Sequence, residues 1–133
     1  MRERGQLSLS AVEAGIGVLL LTAVAAGFFL VDDTATDRTA AQLDTYARDA
    51  GVVLTTAGDG GPQLDRALRS ETTWERNRTA IRERARALFP ANVQFRIETP
   101  RGAIGPAAPD RRPVGVARVP TAAGQVTIRA WYP

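Results

Sequence analysis

The chain has 133 residues with neither cysteine nor histidine, and all its basic residues are arginine, giving a net charge of +3. The missing side chains exclude disulfides, thiolate or imidazole metal sites, and histidine-based catalytic triads. Acidic and basic residues are interleaved through positions 32–133, so we expect no nucleic-acid binding. About 100 residues remain beyond one hydrophobic run, enough for a single small domain.

The hydrophobic run occupies residues 14–31, which carry no charge. At about 1.5 Å per residue the run would span roughly 27 Å, close to the ~30 Å hydrocarbon core of a bilayer. It predicts a transmembrane helix, which we place over residues 6–31. A cleaved signal peptide is the alternative, because the small residues at 23–26 are of the kind that a signal peptidase accepts.

The charges that flank this run predict its orientation. Arg2 and Arg4 precede it, and three aspartates follow it at positions 32, 33 and 37. By the positive-inside rule, residues 1–5 form a cytoplasmic leader and residues 32–133 an extracellular domain. The predicted location is therefore the cell membrane, crossed once, with the N-terminus cytoplasmic.

Four residues directly before the run resemble a known processing site. The tetrapeptide Arg4, Gly5, Gln6 and Leu7 is similar to the site of archaeal type IV pilins, which a prepilin peptidase cuts ahead of the hydrophobic helix. The resemblance implies a cut between Gly5 and Gln6. The whole chain also resembles uncharacterised haloarchaeal pilin-like membrane proteins. The alternative is that Arg2 and Arg4 only set the topology.

The resemblance implies a pilin-like, single-pass membrane subunit that assembles through its N-terminal helix into a cell-surface filament or pseudopilus. The implied partners are the membrane, the prepilin peptidase and other pilin-like subunits. One alternative is a permanently membrane-anchored extracellular domain that binds or scaffolds and does not assemble. Another is a soluble domain released by signal cleavage.

Glu13 stands at the edge of the hydrophobic run and is the candidate assembly residue. A carboxylate at the bilayer centre costs about 2.5–3.5 kcal/mol on insertion scales, so it needs an interface or a partner. In pilins a glutamate near the mature N-terminus is thought to meet the terminal amine of a neighbouring subunit. Glu13 would be the eighth mature residue, whereas the bacterial pattern has the glutamate fifth. The alternative is that Glu13 reaches the headgroups and needs no partner.

Helices are predicted next along the chain. Apolar residues recur at three- and four-residue steps over residues 36–57, either as a continuation of the first helix or after a capped break at 32–36. The composition of residues 57–62 predicts a loop. Two further helices are predicted over about 62–69 and 72–89, the second opened by a capping box of Thr72 and Glu75.

From residue 93 the apolar period changes to two, which predicts strands over about 93–98, 114–119 and 125–132, with a short return strand near residue 103. The predicted fold class is therefore α+β: a long N-terminal helix, transmembrane then amphipathic, additional helices, and a small C-terminal antiparallel sheet of three to four strands.

The sequence contains no pattern that carries catalysis. Phosphate-binding loops, carboxylates at metal-ligand spacing and a nucleophile beside a base are all missing, so we expect no enzyme, metal or cofactor. Asn77 begins the sequence Asn-Arg-Thr and is a candidate for N-glycosylation. The alternative is a chance match, since it falls within a predicted helix.

Overall fold

The computed structural model describes the backbone of residues 2–56 and 63–133, and the side chains of residues 11–26, 34–56 and 64–133. The predicted loop at 57–62 lies outside these ranges. The described elements follow in chain order: α1 (Arg2–Thr55), α2 (Gln63–Ala67), α3 (Glu71–Leu88), β1 (Gln94–Thr99), β2 (Gly102–Ile104), β3 (Gly115–Thr121) and β4 (Gly124–Trp131). The chain divides into two compact units, Met1–Asp37 and Arg38–Pro133.

The prediction of a long N-terminal helix that crosses a membrane over residues 6–31 is contradicted. A spanning helix needs about 20 consecutive, predominantly apolar residues. Within the described parts of the chain, no helix is long and apolar enough to meet this requirement. The single-pass location, with its cytoplasmic leader and extracellular domain, is contradicted by the same finding.

The backbone of α1 continues through residues 32–36, so a second helix does not begin there. Of the two alternatives for this region, the capped break is therefore wrong. The aspartates and threonines of the stretch lie inside a helix, where the backbone amides are already bonded to carbonyls one turn earlier and need no side-chain cap.

The second unit is an α+β domain with a four-stranded antiparallel sheet in the order β2-β1-β4-β3. Two tight hairpins build most of it: β1 turns into β2 between Thr99 and Gly102, and β3 turns into β4 between Thr121 and Gly124. Both closing glycines have positive φ, +146° and +130°, a backbone conformation that favours glycine. The longer connection between β2 and β3 places β4 beside β1.

The domain core lies on one face of the sheet. Alternate residues of β1 and β4 point to it, which is why the apolar positions recur every second residue. The helices contribute residues at helical spacing, and the fully buried larger side chains are Trp74, Leu43, Leu54, Leu64, Leu68, Ile81, Ile97, Ile104, Ile128, Val93 and Val126. The described residues include no buried polar or charged one, so hydrophobic burial is the main stabilising term.

Gly115 brings the start of β3 directly against α1. A Cβ atom at this position would collide with the backbone of Leu43 and Asp44. The close approach lets the Asp44 Oδ1 accept a hydrogen bond of 2.7 Å from the Val116 N–H. Asp44 therefore satisfies a backbone donor at the outer edge of the sheet, where a free donor could pair with another chain.

The predicted capping box of α3 is corrected. The N-cap is Ser70, whose Oγ accepts from the Thr73 N–H at 3.1 Å, so the helix begins earlier than a Thr72 capping box requires. Two apolar residues differ from the alternation of their elements: Val53 of α1 is 39% exposed, and Trp131 of β4 is 5% exposed but lies outside the main core cluster.

Candidate functional site

The apolar segment, residues 11–26 of α1, is exposed at every position. Its larger side chains are between 57% and 72% exposed, and they are Val12, Ile16, Val18, Leu19, Leu20, Leu21 and Val24. Isolated exposed apolar residues are common, but a contiguous patch of this size marks a surface that binds another molecule. The apolar segment is therefore the strongest candidate for an interaction site in the first unit.

Apolar residues of this segment are distributed around the whole helix. Residues 18–21 are four consecutive Val and Leu residues, and successive residues are about 100° apart, so together they face every direction. A helix that packs on one neighbour shows an apolar stripe, whereas a helix that is apolar all round is surrounded by other apolar groups. The pattern thus favours several neighbours over a single one.

Glu13 lies on α1 among these apolar residues and its side chain is exposed. In the described parts of the chain, no arginine lies within ion-pair distance of it. Burial of an ionised carboxylate without a partner costs several kcal/mol. Any assembly that covers this part of the helix must therefore supply Glu13 with a partner or leave it in water.

Gly15 and Gly17 follow Glu13, and an added Cβ at either position would meet nothing within 4 Å. Within one copy, neither glycine is needed to relieve a steric conflict. Small residues allow two helices to approach closely when they pack together. Both positions are consistent with a contact that forms only between copies.

The predicted processing residues Arg4, Gly5, Gln6 and Leu7 fall within the backbone range of α1, but their side chains lie outside the described residues. The cut between Gly5 and Gln6 stays a prediction.

Asn77 lies inside α3, and its Nδ2 atom donates a hydrogen bond of 2.7 Å to the Thr73 carbonyl one turn earlier. Nδ2 is also the atom that would carry the sugar. Modification of Asn77 stays a prediction.

The outer face of the sheet carries a charged cluster in the second unit. Glu98 Oε1 lies 3.1 Å from Arg96 Nε and 3.4 Å from Arg129 Nε. Arg96 also donates to the Gly105 carbonyl at 2.9 Å. Two guanidinium groups thus share one carboxylate, and the hydrogen bond from Arg96 holds the chain that leaves β2 against the sheet.

A cleft of about 600 Å³, here called the domain cleft, lies between α3 and the start of β1. Its walls are predominantly apolar, and the lining residues are Arg82, Glu83, Arg86, Gln94, Phe95, Gly105 and Pro106. The volume falls in the range of small-molecule sites, about 300–1,000 Å³. Sequence reasoning missed this cleft, because it exists only where β2 stops short of the full length of β1.

Two bonding patterns fix the walls of the domain cleft. The Arg86 Nη2 atom donates to the carbonyls of Pro90 and Val93, at 2.7 and 2.9 Å. The Phe95 ring stacks on Phe89 with centroids 5.0 Å apart, and the Arg86 guanidinium carbon lies 5.3 Å from the Phe95 centroid. Phe95 is therefore held in place by two contacts with residues at the C-terminal end of α3.

The described residues define an α+β domain with a four-stranded antiparallel sheet, preceded by an exposed apolar stretch of helix. The chain belongs to the family of unknown function DUF7262, which it matches over residues 3–132. No curated protein and no solved structure matches the chain significantly.

Proposed function

We propose that the chain is a pilin-like subunit that polymerises through the apolar segment of α1. The observation that carries this proposal is the exposure of apolar side chains all round the helix over residues 11–26. Removal of such a surface from water is worth about 25 cal/mol per Å² of apolar area. Packing among the apolar segments of several copies would bury it.

Three further features support this proposal. The tetrapeptide Arg4 to Leu7 resembles a prepilin processing site and stands directly before the apolar segment. Gly15 and Gly17 leave room for close helix packing. The second unit has its own hydrophobic core, so it does not need the apolar segment to fold. The partners in this proposal are the prepilin peptidase and other pilin-like subunits.

The test of polymerisation is a pair of matched variants of the full chain. Leu19→Ser together with Leu21→Ser removes two of the most exposed apolar side chains, 71% and 72% exposed. Sedimentation velocity and electron microscopy should show assemblies for the natural chain and a monomer for this variant. Val52→Ser is the control, because Val52 is also exposed on α1, at 57%, but lies in the second unit. Equal assembly in all three chains would contradict the proposal.

The test of processing is the mass of the protein isolated from its natural source. We expect a mature chain that starts at Gln6. A chain that keeps Arg4 and Gly5 is not processed there, and it favours the alternative of a binding or scaffolding domain that does not assemble.

A further inference from the structure

The domain cleft exists because the sheet is uneven at its edge. β1 has six residues, but β2 pairs with it only from Ile97 to Thr99. After Ile104 strand β2 ends at Gly105, whose φ is +92° and which lies against the Phe95 carbonyl, and the chain continues into Pro106. No described residue pairs with Gln94 or Phe95 on the β2 side, and no described carbonyl accepts a hydrogen bond from the Phe95 N–H on that side.

The hydrogen-bond pattern of the sheet gives the direction of the Phe95 main chain. Val116 donates its N–H away from β4, to Asp44, so the Val116 and Arg129 pair is not hydrogen-bonded. Hydrogen-bonded and non-hydrogen-bonded pairs alternate along an antiparallel ladder, so the main-chain groups of Arg129 point to its partner on β1, Arg96. Phe95 directly precedes Arg96 on β1, and its main-chain groups therefore point away from β4. The Phe95 N–H is thus directed to the side where Gly105 and Pro106 line the cleft.

The charged residues that line the domain cleft are two arginines and one glutamate. Arg82 is exposed, and no described carboxylate lies within 4.0 Å of its guanidinium group. The Arg86 guanidinium is held at the wall by hydrogen bonds to two carbonyls. Glu83 is the single acidic lining residue. The three charges sum to +1, so the cleft combines apolar walls, a net positive charge and a backbone donor.

We propose that the domain cleft binds a small amphipathic carboxylate, with an apolar body against Phe95 and Pro106. Its carboxylate accepts hydrogen bonds from Arg82 and from the Phe95 N–H. A charged acceptor suits both donors, because hydrogen bonds to ionised groups are stronger than neutral ones. The proposal is independent of polymerisation, since the cleft lies wholly within the second unit.

The probe is 2-naphthoate, titrated into the full chain and followed by the amide shifts of Phe95 and Gly105. Arg82→Gln should weaken binding about five- to tenfold, and Glu83→Gln should strengthen it, since it removes the opposing charge. Arg84→Gln is the matched control, because Arg84 is an exposed arginine on the same helix that does not line the cleft. The Arg84→Gln variant should bind 2-naphthoate with the same affinity as the natural chain. The neutral amide of the same ring system should bind more weakly than the acid.

Three results would overturn the proposal. Equal affinity in the three variants would mean that charge does not select the ligand. Shifts confined to the amides of residues 11–26 would place the probe on the apolar segment. Shifts of Phe95 and Gly105 on raising the protein concentration without probe would make a second copy the occupant of the cleft.

Discussion

Individual residues in this chain take their roles from burial as much as from chemical type. Leu43 and Leu19 lie on the same helix, yet Leu43 is fully buried and Leu19 is 71% exposed. The first contributes about 1.5–3 kcal/mol to the stability of the domain. The second contributes nothing within one copy and becomes stabilising only when another molecule covers it.

Glu13 gives a prediction at the residue scale. If assembly through the apolar segment takes its carboxylate out of water, a partner on a neighbouring copy must compensate for the lost hydration. Glu13→Gln removes that pairing and should weaken assembly about tenfold, equivalent to about 1.4 kcal/mol. The measurement is the assembled fraction against protein concentration by sedimentation velocity.

Asp37→Asn is the control for Glu13, because Asp37 is an exposed acidic residue of α1 outside the apolar segment. Its assembly should match that of the natural chain. Stronger assembly of Glu13→Gln would mean that the carboxylate is buried without a partner, and unchanged assembly would mean that it stays in water. Either outcome would reject a pairing role for Glu13.

Among the elements, α3 shows how the ends of a helix are set. Its interior follows the three- and four-residue spacing of Trp74, Ile81 and Ala85, which are all buried. Its start depends on Ser70, which has extended backbone angles, φ −149° and ψ 162°, and caps the Thr73 N–H. Both Ser70 and Thr72 are residue types that cap helices, so composition did not distinguish them.

Ser70→Ala should therefore lower the free energy of unfolding by about 1 kcal/mol, the usual effect of removing an N-cap. Thr72→Ala should change it by less than about 0.5 kcal/mol, because Thr72 is exposed and lies inside the helix. Urea unfolding followed by circular dichroism measures both. The reverse order of the two effects would show that Thr72 caps the helix in solution.

At the scale of the whole molecule, the two units differ in where their apolar side chains lie and in their net charge. The first unit carries the exposed apolar segment, and the second carries the buried cluster and the sheet. By sequence, residues 1–37 hold two basic and five acidic residues, a net charge of −3, whereas residues 38–133 hold fifteen basic and nine acidic, a net charge of +6. We therefore expect the first unit to promote self-association through its apolar segment, and the charged second unit to oppose it.

This division gives a prediction for a fragment of residues 38–133. Because its core is made by residues of the second unit, the fragment should unfold cooperatively, with the same urea midpoint as the full chain. It should also remain monomeric where the full chain assembles. Circular dichroism and sedimentation velocity are the measurements. A fragment without a cooperative transition would show that the domain needs the first 37 residues to fold.

The sequence by itself determined the local elements of the domain. Apolar spacing predicted a short helix over about 62–69 and alternation predicted a strand over about 93–98, and the structure has α2 over Gln63–Ala67 and β1 over Gln94–Thr99. These patterns are readable because they come from the geometry of a single helix or strand, 3.6 and 2 residues per repeat. The same patterns predicted the α+β class with an antiparallel sheet of three to four strands, and the structure has four.

Only the tertiary structure decided which edges, caps and clefts the elements form. The domain cleft depends on β2 ending at Ile104 while β1 extends to Gln94, and the burial of Trp131 depends on residues far from it in the chain. The hydropathy of the first 31 residues suggested a membrane span that the described helices do not provide. For the domain cleft and for Trp131 the outcome rests on contacts between distant segments, and the order of residues along one element does not encode these.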